Sequence, residues 1–301
     1  MPVNVAATGD VHRTGRRIAV CSWSLQAGSV RELAARVRAC GLAAVQLALD
    51  PVRTGVMPLP ELAVALAAAG VDVVSGMMAM AGEDYSTLES IRRTGGVLPN
   101  ATWGENVTAA AENARRARAL GIPLVTFHAG FVPHAAADPH RAVLVERVAQ
   151  VAAIFAAEGV EVALETGQES PATLLHLLRD LEQLGPARVG VNFDPANMIL
   201  YGMGDPVAAL RRLARFVRQV HVKDALPSSR PGEWGTEVPA GEGAVDWAAF
   251  FGVLRSERIT ADLVIEREAG EQRIADVRRA RTLLERLRAG TEARGDDGSR
   301  R

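Results

Sequence analysis

Short apolar runs alternate with amphipathic stretches along the chain, and this alternation predicts the elements of the fold. The apolar runs are continuous rather than interrupted at every second position, as expected for parallel strands buried on both faces. Eight runs predict strands, at Arg17–Trp23, Leu42–Leu49, Val71–Met78, Ile122–Gly130, Val160–Gly167, Arg188–Phe193, Val217–Val222 and Asp262–Glu268. The stretches between and after them predict helices, at Val30–Ala39, Leu59–Ala69, Gly104–Leu120, Pro139–Ala157, Pro171–Leu184, about Asp205–Phe216, Asp246–Ser256 and Gln272–Arg288.

The succession of eight strand–helix units predicts one α/β domain, a single (β/α)8 TIM barrel over residues 17–289. An open doubly wound sheet is the alternative, but no G-x-G-x-x-G turn follows the first predicted strand. Residues 1–16 predict a flexible N-terminal leader, and the charged residues 290–301 predict a disordered tail. Two long segments without a strong pattern, 81–102 and 224–244, are expected to form a lid.

Composition narrows the function classes. The 34 basic and 35 acidic residues nearly cancel, so nucleic acid is not an expected partner. No apolar run approaches the roughly 20 residues that a membrane span needs, and the first residues contain no apolar signal-peptide core. Two cysteines, Cys21 and Cys40, suggest reduced thiols in a cytoplasmic protein.

Polar residues that do not suit a core stand at the ends of five successive predicted strands. They are His128, Glu165, Asp194, His221 with Lys223, and Glu266. A barrel gathers the carboxyl ends of its strands at one mouth, so these side chains should converge there. Each carboxylate or histidine taken alone could be structural, as a helix cap, a turn residue or a hydrogen-bonded core histidine.

Three of these carboxylates and one imidazole come from consecutive units, and together they predict a metal site. Crowded carboxylates in a partly desolvated site raise one another's pKa unless a cation compensates them. We therefore expect one divalent ion held by Glu165, Asp194, His221 and Glu266. Three carboxylate oxygens and one nitrogen favour Mn²⁺, Mg²⁺ or Co²⁺ over the sulfur-rich or all-nitrogen coordination of structural zinc. The ion that we expect is Mn²⁺, with Co²⁺, Mg²⁺ or Zn²⁺ as alternatives.

Five segments carry a resemblance to a known group of enzymes. They are ALETGQES (163–170), VNFDPANMILYG (191–202), VHVKDA (220–225), GEGAVDW (241–247) and VIEREAG (264–270). The sequence from Arg17 to Arg288 resembles the sugar isomerase/epimerase group with the xylose-isomerase-like TIM barrel. In members of the ketose 3-epimerase type, Glu, Asp, His and Glu on strands five to eight bind Mn²⁺ or Co²⁺, and the two glutamates also act as acid and base.

The resemblance implies that Glu165 and Glu266 are the acid/base pair, and it also shows two departures. Asn197 stands where the epimerases and the DNA-repair endonuclease of the superfamily have a histidine, which argues against a three-zinc endonuclease site. Gln46 stands where the superfamily commonly has a carboxylate on strand two, which leaves sugar recognition on that side open. The resemblance further implies a small sugar or keto-sugar as substrate and a homo-oligomer, dimer or tetramer.

Four other residues are candidates for contact with the substrate. Lys223 is the only lysine among the basic residues, and it lies two positions after His221, hence on the same inward face. We assign it a catalytic role, as a donor to an oxyanion or as an acid. His128, Asn197 and Trp23 are predicted substrate contacts, although core packing or turn capping would also explain each of them.

The predicted function is a metal-dependent sugar isomerase or epimerase that works through an enediolate by proton transfer next to a carbonyl. Loss of a β-hydroxyl or β-glycosyl group from the same enediolate would instead make it a lyase or dehydratase acting on a keto-inositol or a 3-keto-glycoside. A non-catalytic sugar-binding barrel is the other alternative. That alternative predicts loss of the acid/base pair, whereas Glu165 and Glu266 are both present.

Overall fold

Eight parallel strands close a barrel in the computed structural model, which describes residues 16–135, 137–185, 187–230 and 232–295. The barrel strands are β1 (Ile18–Cys21), β2 (Ala44–Ala48), β3 (Asp72–Met77), β4 (Leu124–Phe127), β5 (Glu161–Glu165), β6 (Val189–Phe193), β7 (Val217–Val222) and β10 (Asp262–Ile265). Each strand pairs with its predecessor in the barrel, and β10 closes the barrel by pairing with β1, Leu263 opposite Ile18. The predicted (β/α)8 barrel is confirmed.

Helices surround the barrel and cover its outer face. They are α1 (Val30–Ala39), α2 (Asp50–Arg53), α3 (Leu59–Ala69), α4 (Leu88–Thr94), α5 (Asn100–Ala119), α6 (Pro139–Ala157), α7 (Pro171–Leu184), α8 (Pro195–Leu200), α9 (Pro206–Leu213), α10 (Trp247–Ser256) and α11 (Arg273–Gly295). Outward strand residues such as Phe127 and Phe193 are fully buried in one core with Phe155 and Leu177 of the helices. No helix in the described ranges is long and apolar enough to cross a membrane.

The two segments without a strong pattern contain regular structure. The first includes α4, whose start is a capping box: the Thr87 side chain accepts from the Ser90 backbone N–H and the Ser90 hydroxyl accepts from that of Thr87. The second forms an antiparallel hairpin, β8 (Asp224–Leu226) with β9 (Thr236–Val238). Both elements are too short to show periodicity in the sequence.

The largest differences between predicted and observed helix ends are at two places. Helix α5 begins at Asn100, directly after Pro99, rather than at Gly104. Helix α11 runs to Gly295 rather than to Arg288, because most residues in that stretch are good helix formers. The rest of the predicted tail, 296–301, and residues 1–15 of the predicted leader lie outside the described residues.

The inside of the barrel holds apolar and neutral polar side chains beside the charged ones. A small apolar cluster includes Ala19, Ala44, Val74 and Val264. Neutral side chains form a hydrogen-bonded network, in which Gln219 accepts from the Ser75 hydroxyl at 2.5 Å and donates to the Asn192 side-chain carbonyl at 3.1 Å. Asn192 and Gln219 lie two residues before Asp194 and His221, so charged residues at the strand ends adjoin this network.

Candidate metal centre

The barrel brings the four predicted ligands together. Glu165 ends β5, Asp194 follows β6, His221 lies in β7 and Glu266 follows β10. All four are buried, and one ligand atom from each lies within 4.8 Å of the others. His221 Nδ1 is 3.5 Å from Glu165 Oε1, 3.6 Å from Asp194 Oδ2 and 3.4 Å from Glu266 Oε2. Three carboxylate oxygens thus surround one imidazole nitrogen.

Two of these atoms have no hydrogen-bond partner among the described residues although they are buried: His221 Nδ1 and Asp194 Oδ2. The opposite ring nitrogen, His221 Nε2, lies 2.7 Å from Gln46 Oε1, an oxygen that can only accept. The neighbouring amide nitrogen of Gln46 donates to Thr126 Oγ1 at 2.9 Å, which supports this amide orientation. The Asn192 amide nitrogen lies farther from Nε2, at 3.1 Å, so the nearer Gln46 oxygen favours a proton on Nε2. Nδ1 can then offer its lone pair to a cation held between the carboxylates.

These unpartnered atoms fit a divalent cation. A buried polar atom without a partner costs about 1–3 kcal/mol, so two together call for a ligand. Carboxylate oxygens and one imidazole nitrogen are donors that Mn²⁺, Mg²⁺ and related ions accept. The hydrogen bond from His221 to Gln46 is the kind of outer contact that orients a metal-binding imidazole. The residues present therefore fit the predicted ion.

The electrostatics of the cluster show how strongly it attracts a positive charge. Burial lowers the pKa of His221, but the carboxylates of Glu266 and Glu165 overcome burial and hold this pKa well above its usual value. Burial raises the pKa of Asp194 to about 6. For Glu266, burial is outweighed by Lys223 and His221, which hold its pKa well below the usual value. Without a metal ion, a proton on His221 supplies the missing positive charge.

Lys223 points into the mouth beside this cluster, on the face predicted from its spacing to His221. Its ammonium donates to Glu266 Oε2 at 2.9 Å, to Asn197 Oδ1 at 3.4 Å and to the carboxylate of Glu268. Burial lowers the pKa of Lys223, but Glu266 and Glu268 hold it well above the usual value. The ammonium is therefore charged and fixed, which favours donation to an oxyanion over release of a proton.

Two of the predicted substrate contacts hold the glutamates in place. Asn197 donates through Nδ2 to Glu165 Oε1 at 2.9 Å. Trp23 donates through its indole N–H to Glu266 Oε1 at 2.8 Å, and its ring meets His221 edge-on with centroids 6.3 Å apart. Both side chains lie within the site, where contact with a substrate stays a prediction.

His128, the third predicted substrate contact, stands at the rim just after β4. Its Nε2 atom is 3.6 Å from Glu165 Oε1, and the ring of Tyr85 meets it edge-on at 6.3 Å. Its Nδ1 atom is buried and has no partner within the part of the chain that the structure describes. The imidazole can therefore still accept or donate one hydrogen bond.

Comparison with known proteins identifies the family. A family model described as Xylose isomerase-like TIM barrel matches residues 34–289. The chain belongs to this family. A crystal structure of a xylose isomerase domain protein from Planctomyces limnophilus is 34% identical to it, with 91% of this chain and 98% of that chain covered and a TM-score of 0.81.

More distant structures share the fold. An L-ribulose 3-epimerase is 18% identical over 95% of this chain and 99% of that chain, with a TM-score of 0.71. A xylose isomerase-like TIM barrel protein from Mycobacterium smegmatis, in complex with magnesium, is 15% identical over 90% of this chain and 96% of that chain, with a TM-score of 0.68. No curated protein matches the sequence significantly.

In this xylose isomerase-like barrel, the sequence analysis assigned no role at the site to three residues that contact its side chains. Asn192 donates to Glu165 Oε2 at 3.1 Å. It lies on β6 two residues before Asp194, and strand alternation could have indicated that its side chain faces the same way. Gln46 was treated as a departure, yet it orients His221. Glu268 contacts Lys223 from the loop after β10, where strand alternation no longer applies.

Asp224 accounts for the conformation of the segment GEGAVDW (241–247). Its carboxylate accepts from the backbone N–H groups of Ala225, Gly241 and Val245, and from the indole of Trp247 at 2.9 Å. A Cβ atom on Gly243 would lie 2.1 Å from Asp224 Oδ1, so the turn can close around the carboxylate only with glycine there. The segment is thus a structural turn that anchors the loop after β7.

Proposed function

We propose that this protein is a divalent-metal-dependent sugar isomerase or epimerase that moves a proton next to a carbonyl group. The observation that carries the proposal is the pair of glutamates at one centre. Glu165 Oε1 and Glu266 Oε2 lie 3.5 Å and 3.4 Å from the same His221 nitrogen. They approach it from β5 and β10, the two ends of an arc formed by β10, β7, β6 and β5. Family membership supports the same class of reaction.

Glu165, Asp194, His221 and Glu266 would hold the ion, and Mn²⁺ is the one we expect. A divalent ion bound there would polarise a substrate carbonyl and its adjacent hydroxyl, which makes the C–H between them more acidic. Two things support this assignment: the unpartnered atoms His221 Nδ1 and Asp194 Oδ2, and the complex of the Mycobacterium smegmatis relative with magnesium.

The two glutamates differ in how they are held, and this difference assigns their roles. Both oxygens of Glu165 accept from neutral amides, those of Asn197 and Asn192. Glu266 accepts from the Trp23 indole and from the Lys223 ammonium. A neighbouring cation stabilises a carboxylate and weakens it as a base, so Glu165 is the stronger base of the two.

Proton transfer would then proceed between the two faces of the substrate. Glu165 removes the proton next to the carbonyl, which gives an enediolate, and Lys223 donates to the developing oxyanion. A proton is then returned by a water beside Glu266, or by Glu266 once it has taken a proton from solvent. Return to the opposite face of the same carbon gives an epimer, and return to the neighbouring carbon gives an isomer. The name of the L-ribulose 3-epimerase neighbour supports the former outcome.

A lyase reaction is the second candidate, and Lys223 is the observation that favours it. A fixed ammonium beside Glu266 would donate a hydrogen bond to a departing β-hydroxyl or β-glycosyl oxygen of the same enediolate, while a water supplies the proton with which that group leaves. The substrate would then be a keto-inositol or a 3-keto-glycoside. Epimerisation or isomerisation and the lyase reaction share the proton-abstraction step, so one experiment tests both.

The experiment incubates the Mn²⁺-loaded protein in D₂O with keto-sugars, keto-inositols and 3-keto-glycosides. We expect deuterium at the carbon next to the carbonyl of at least one compound, and the structure of the product separates epimer, isomer and elimination product. Metal-stripped protein is the control and should exchange far more slowly. If no compound gains deuterium in the loaded protein, the proposal is wrong, and the result supports the non-catalytic alternative.

A further inference from the structure

Each N–H group of the Lys223 ammonium already has an acceptor. An ammonium carries three N–H groups. Among the described residues, three oxygens accept from Lys223: Glu266 Oε2 at 2.9 Å, Asn197 Oδ1 at 3.4 Å and the carboxylate of Glu268. The proposed function requires Lys223 to donate to an oxygen of the substrate. One of the three oxygens must therefore leave before a substrate oxygen can take its place.

Two of these acceptors, Glu266 and Asn197, are buried and have other contacts to keep. The Glu266 side chain is 3% exposed, and its other oxygen, Oε1, accepts from the Trp23 indole at 2.8 Å. Asn197 donates to Glu165 Oε1 at 2.9 Å, so its movement would also release the base. A buried acceptor that loses its donor is costly, because no water replaces that donor. Neither residue is therefore the one that leaves.

Glu268 is different, because its side chain is 52% exposed. An exposed ion pair contributes little, since water solvates the carboxylate once the pair has opened. The backbone of Glu268 is held on both sides: its N–H donates to Glu237 Oε1 at 3.0 Å, and its carbonyl accepts from the Arg273 guanidinium. Rotation of the side chain alone therefore carries the carboxylate into water while the loop after β10 stays in place.

We infer that Glu268 occupies the position on Lys223 that a substrate oxygen takes, and that substrate binding displaces the Glu268 carboxylate into solvent. Glu268 is then a positioning residue, which holds the ammonium in the mouth until the substrate replaces it. Its departure also removes one negative charge from the mouth at the stage when the enediolate gains one. This inference rests on the proposed function for the role of Lys223.

The test titrates D-threonohydroxamate, whose two adjacent oxygens resemble those of an enediolate, into the Mn²⁺-loaded protein by calorimetry. Glu268→Gln should bind it about 3- to 5-fold more tightly than the parent, because a neutral amide releases the ammonium more easily than a carboxylate does. Glu242→Gln is the matched control, since Glu242 is 54% exposed and pairs with Arg279 at 3.2 Å, and it should bind like the parent. Equal or weaker binding in Glu268→Gln, or no binding to either protein, overturns the inference.

A second pair of variants separates displacement from simple charge repulsion. In Lys223→Met no ammonium has to be released, so adding Glu268→Gln to it should leave the affinity for D-threonohydroxamate nearly unchanged. If the double variant gains as much affinity over Lys223→Met as Glu268→Gln gains over the parent, the Glu268 charge acts without Lys223. That result would overturn the inference.

Nuclear magnetic resonance observes the displacement itself. Lys223 is the only lysine of the chain, so protein labelled with ¹³C,¹⁵N-lysine gives one Cε–Nζ signal. The Mg²⁺-loaded protein serves here, because Mn²⁺ is paramagnetic and broadens the signal. The signals of the parent and of Glu268→Gln should differ without ligand and coincide with D-threonohydroxamate bound, since residue 268 then no longer contacts Lys223. Bound signals that differ as much as the free ones show that Glu268 stays on Lys223, and they overturn the inference.

Deuterium exchange separates this inference from the proposed function. If a keto-sugar exchanges but Glu268→Gln gains no affinity for D-threonohydroxamate, the displacement fails and the proposed function stands. If Glu268→Gln binds more tightly and the bound signals coincide, but no compound exchanges, the proposed function fails and the displacement stands.

Discussion

Two buried clusters of charge lie side by side in this barrel and are built in opposite ways. Glu266 points into the mouth, toward His221 and the other carboxylates. The next residue, Arg267, points away and lies between two other carboxylates, 2.7 Å from Glu237 Oε1 and 2.8 Å from Asp276 Oδ2. Both clusters are buried and both are rich in carboxylates.

The clusters differ in whether their atoms are paired. Glu237 also accepts from the backbone N–H groups of Glu268 and Ala269, and burial of Arg267 is outweighed by Asp276 and Glu237, which raise its pKa. In the mouth, His221 Nδ1 and Asp194 Oδ2 have no partner in the described ranges. Both clusters therefore bury charge, but of the two only the cluster in the mouth has buried polar atoms without partners among the described residues.

The largest expected effect comes from removing the acid or the base. Glu165→Gln and Glu266→Gln should each lower α-carbon exchange by at least the roughly 10²–10⁴-fold of general acid–base catalysis, because an amide cannot accept the proton. Deuterium incorporation in D₂O measures this. The matched control is Glu237→Gln in the paired cluster, which should keep exchange near the parent rate. Full exchange in both site variants would remove the glutamates from the mechanism.

The next effect is on stability and concerns the paired cluster. Arg267→Met leaves Glu237 and Asp276 buried without their shared cation, and breaking such a pair costs about 3–5 kcal/mol. Urea unfolding should show this loss with and without Mn²⁺. Arg279→Met, at a pair in which the arginine is 56% exposed, is the control and should cost no more than about 1 kcal/mol. Equal losses in the two variants would mean that Arg267 is not a structural centre.

Asp194→Asn addresses the unpaired atom. The amide can still cap α8, where Asp194 Oδ1 accepts from the Asn197 N–H at 2.9 Å, but the ligand charge is lost. Mn²⁺ affinity should fall by more than about 10-fold, while the metal-free protein keeps its stability because carboxylate repulsion is relieved. Asp224→Asn should instead lower stability and leave Mn²⁺ affinity unchanged, because the N–H groups around that carboxylate hold a turn and not the site. Unchanged Mn²⁺ binding in Asp194→Asn would place the ion elsewhere.

Lys223→Arg is a smaller and more specific change. The ammonium is 3% exposed and donates to three oxygens, and a planar guanidinium cannot reproduce that geometry in the same space. We expect most of kcat to be lost, by about 10-fold or more, with Mn²⁺ content near that of the parent. If Lys223→Arg and Lys223→Met both turn over substrate at the parent rate, Lys223 has a structural role.

The smallest effect is a pH dependence. The folded pKa values of His221 and Asp194 are raised, so in metal-free protein their stabilising contribution is present at low pH and lost as pH rises, for Asp194 between 3.8 and about 6. Glu165 and Glu266 have lowered pKa values, so their stabilising contribution is present above their usual value of 4.5 and is lost as pH falls through the lowered values. A metal ion that binds here must displace the protons held by His221 and Asp194.

The rise in Tm caused by Mn²⁺ should therefore be larger at about pH 7.5 than at about pH 5.5. Thermal unfolding with and without Mn²⁺ across this range measures the difference. A metal-induced rise that does not change with pH would show that no proton leaves the site when the ion binds.

The elements that carried the sequence prediction are those with strong local signals. Apolar runs that end in a charged residue predicted the strands and the convergence of the four candidate ligands, because the barrel itself brings successive strand ends together. The donation from Trp23 to Glu266 joins positions 243 residues apart, and pairing of Arg267 with Glu237 crosses from the loop after β10 to the hairpin. Such contacts depend on tertiary packing, so no local sequence pattern predicts them. The three-residue strands β8 and β9 were missed for want of length.

The most direct test of the central claim is calorimetric titration of Mn²⁺ into metal-stripped protein in two buffers of different ionisation enthalpy. The account predicts one ion per chain, with proton release near neutral pH, because His221 gives up the proton on Nδ1 when the ion binds. It also predicts that both signals disappear in His221→Ala. Absence of binding, or binding that His221→Ala leaves unchanged, would contradict the claim that these four residues form the metal centre.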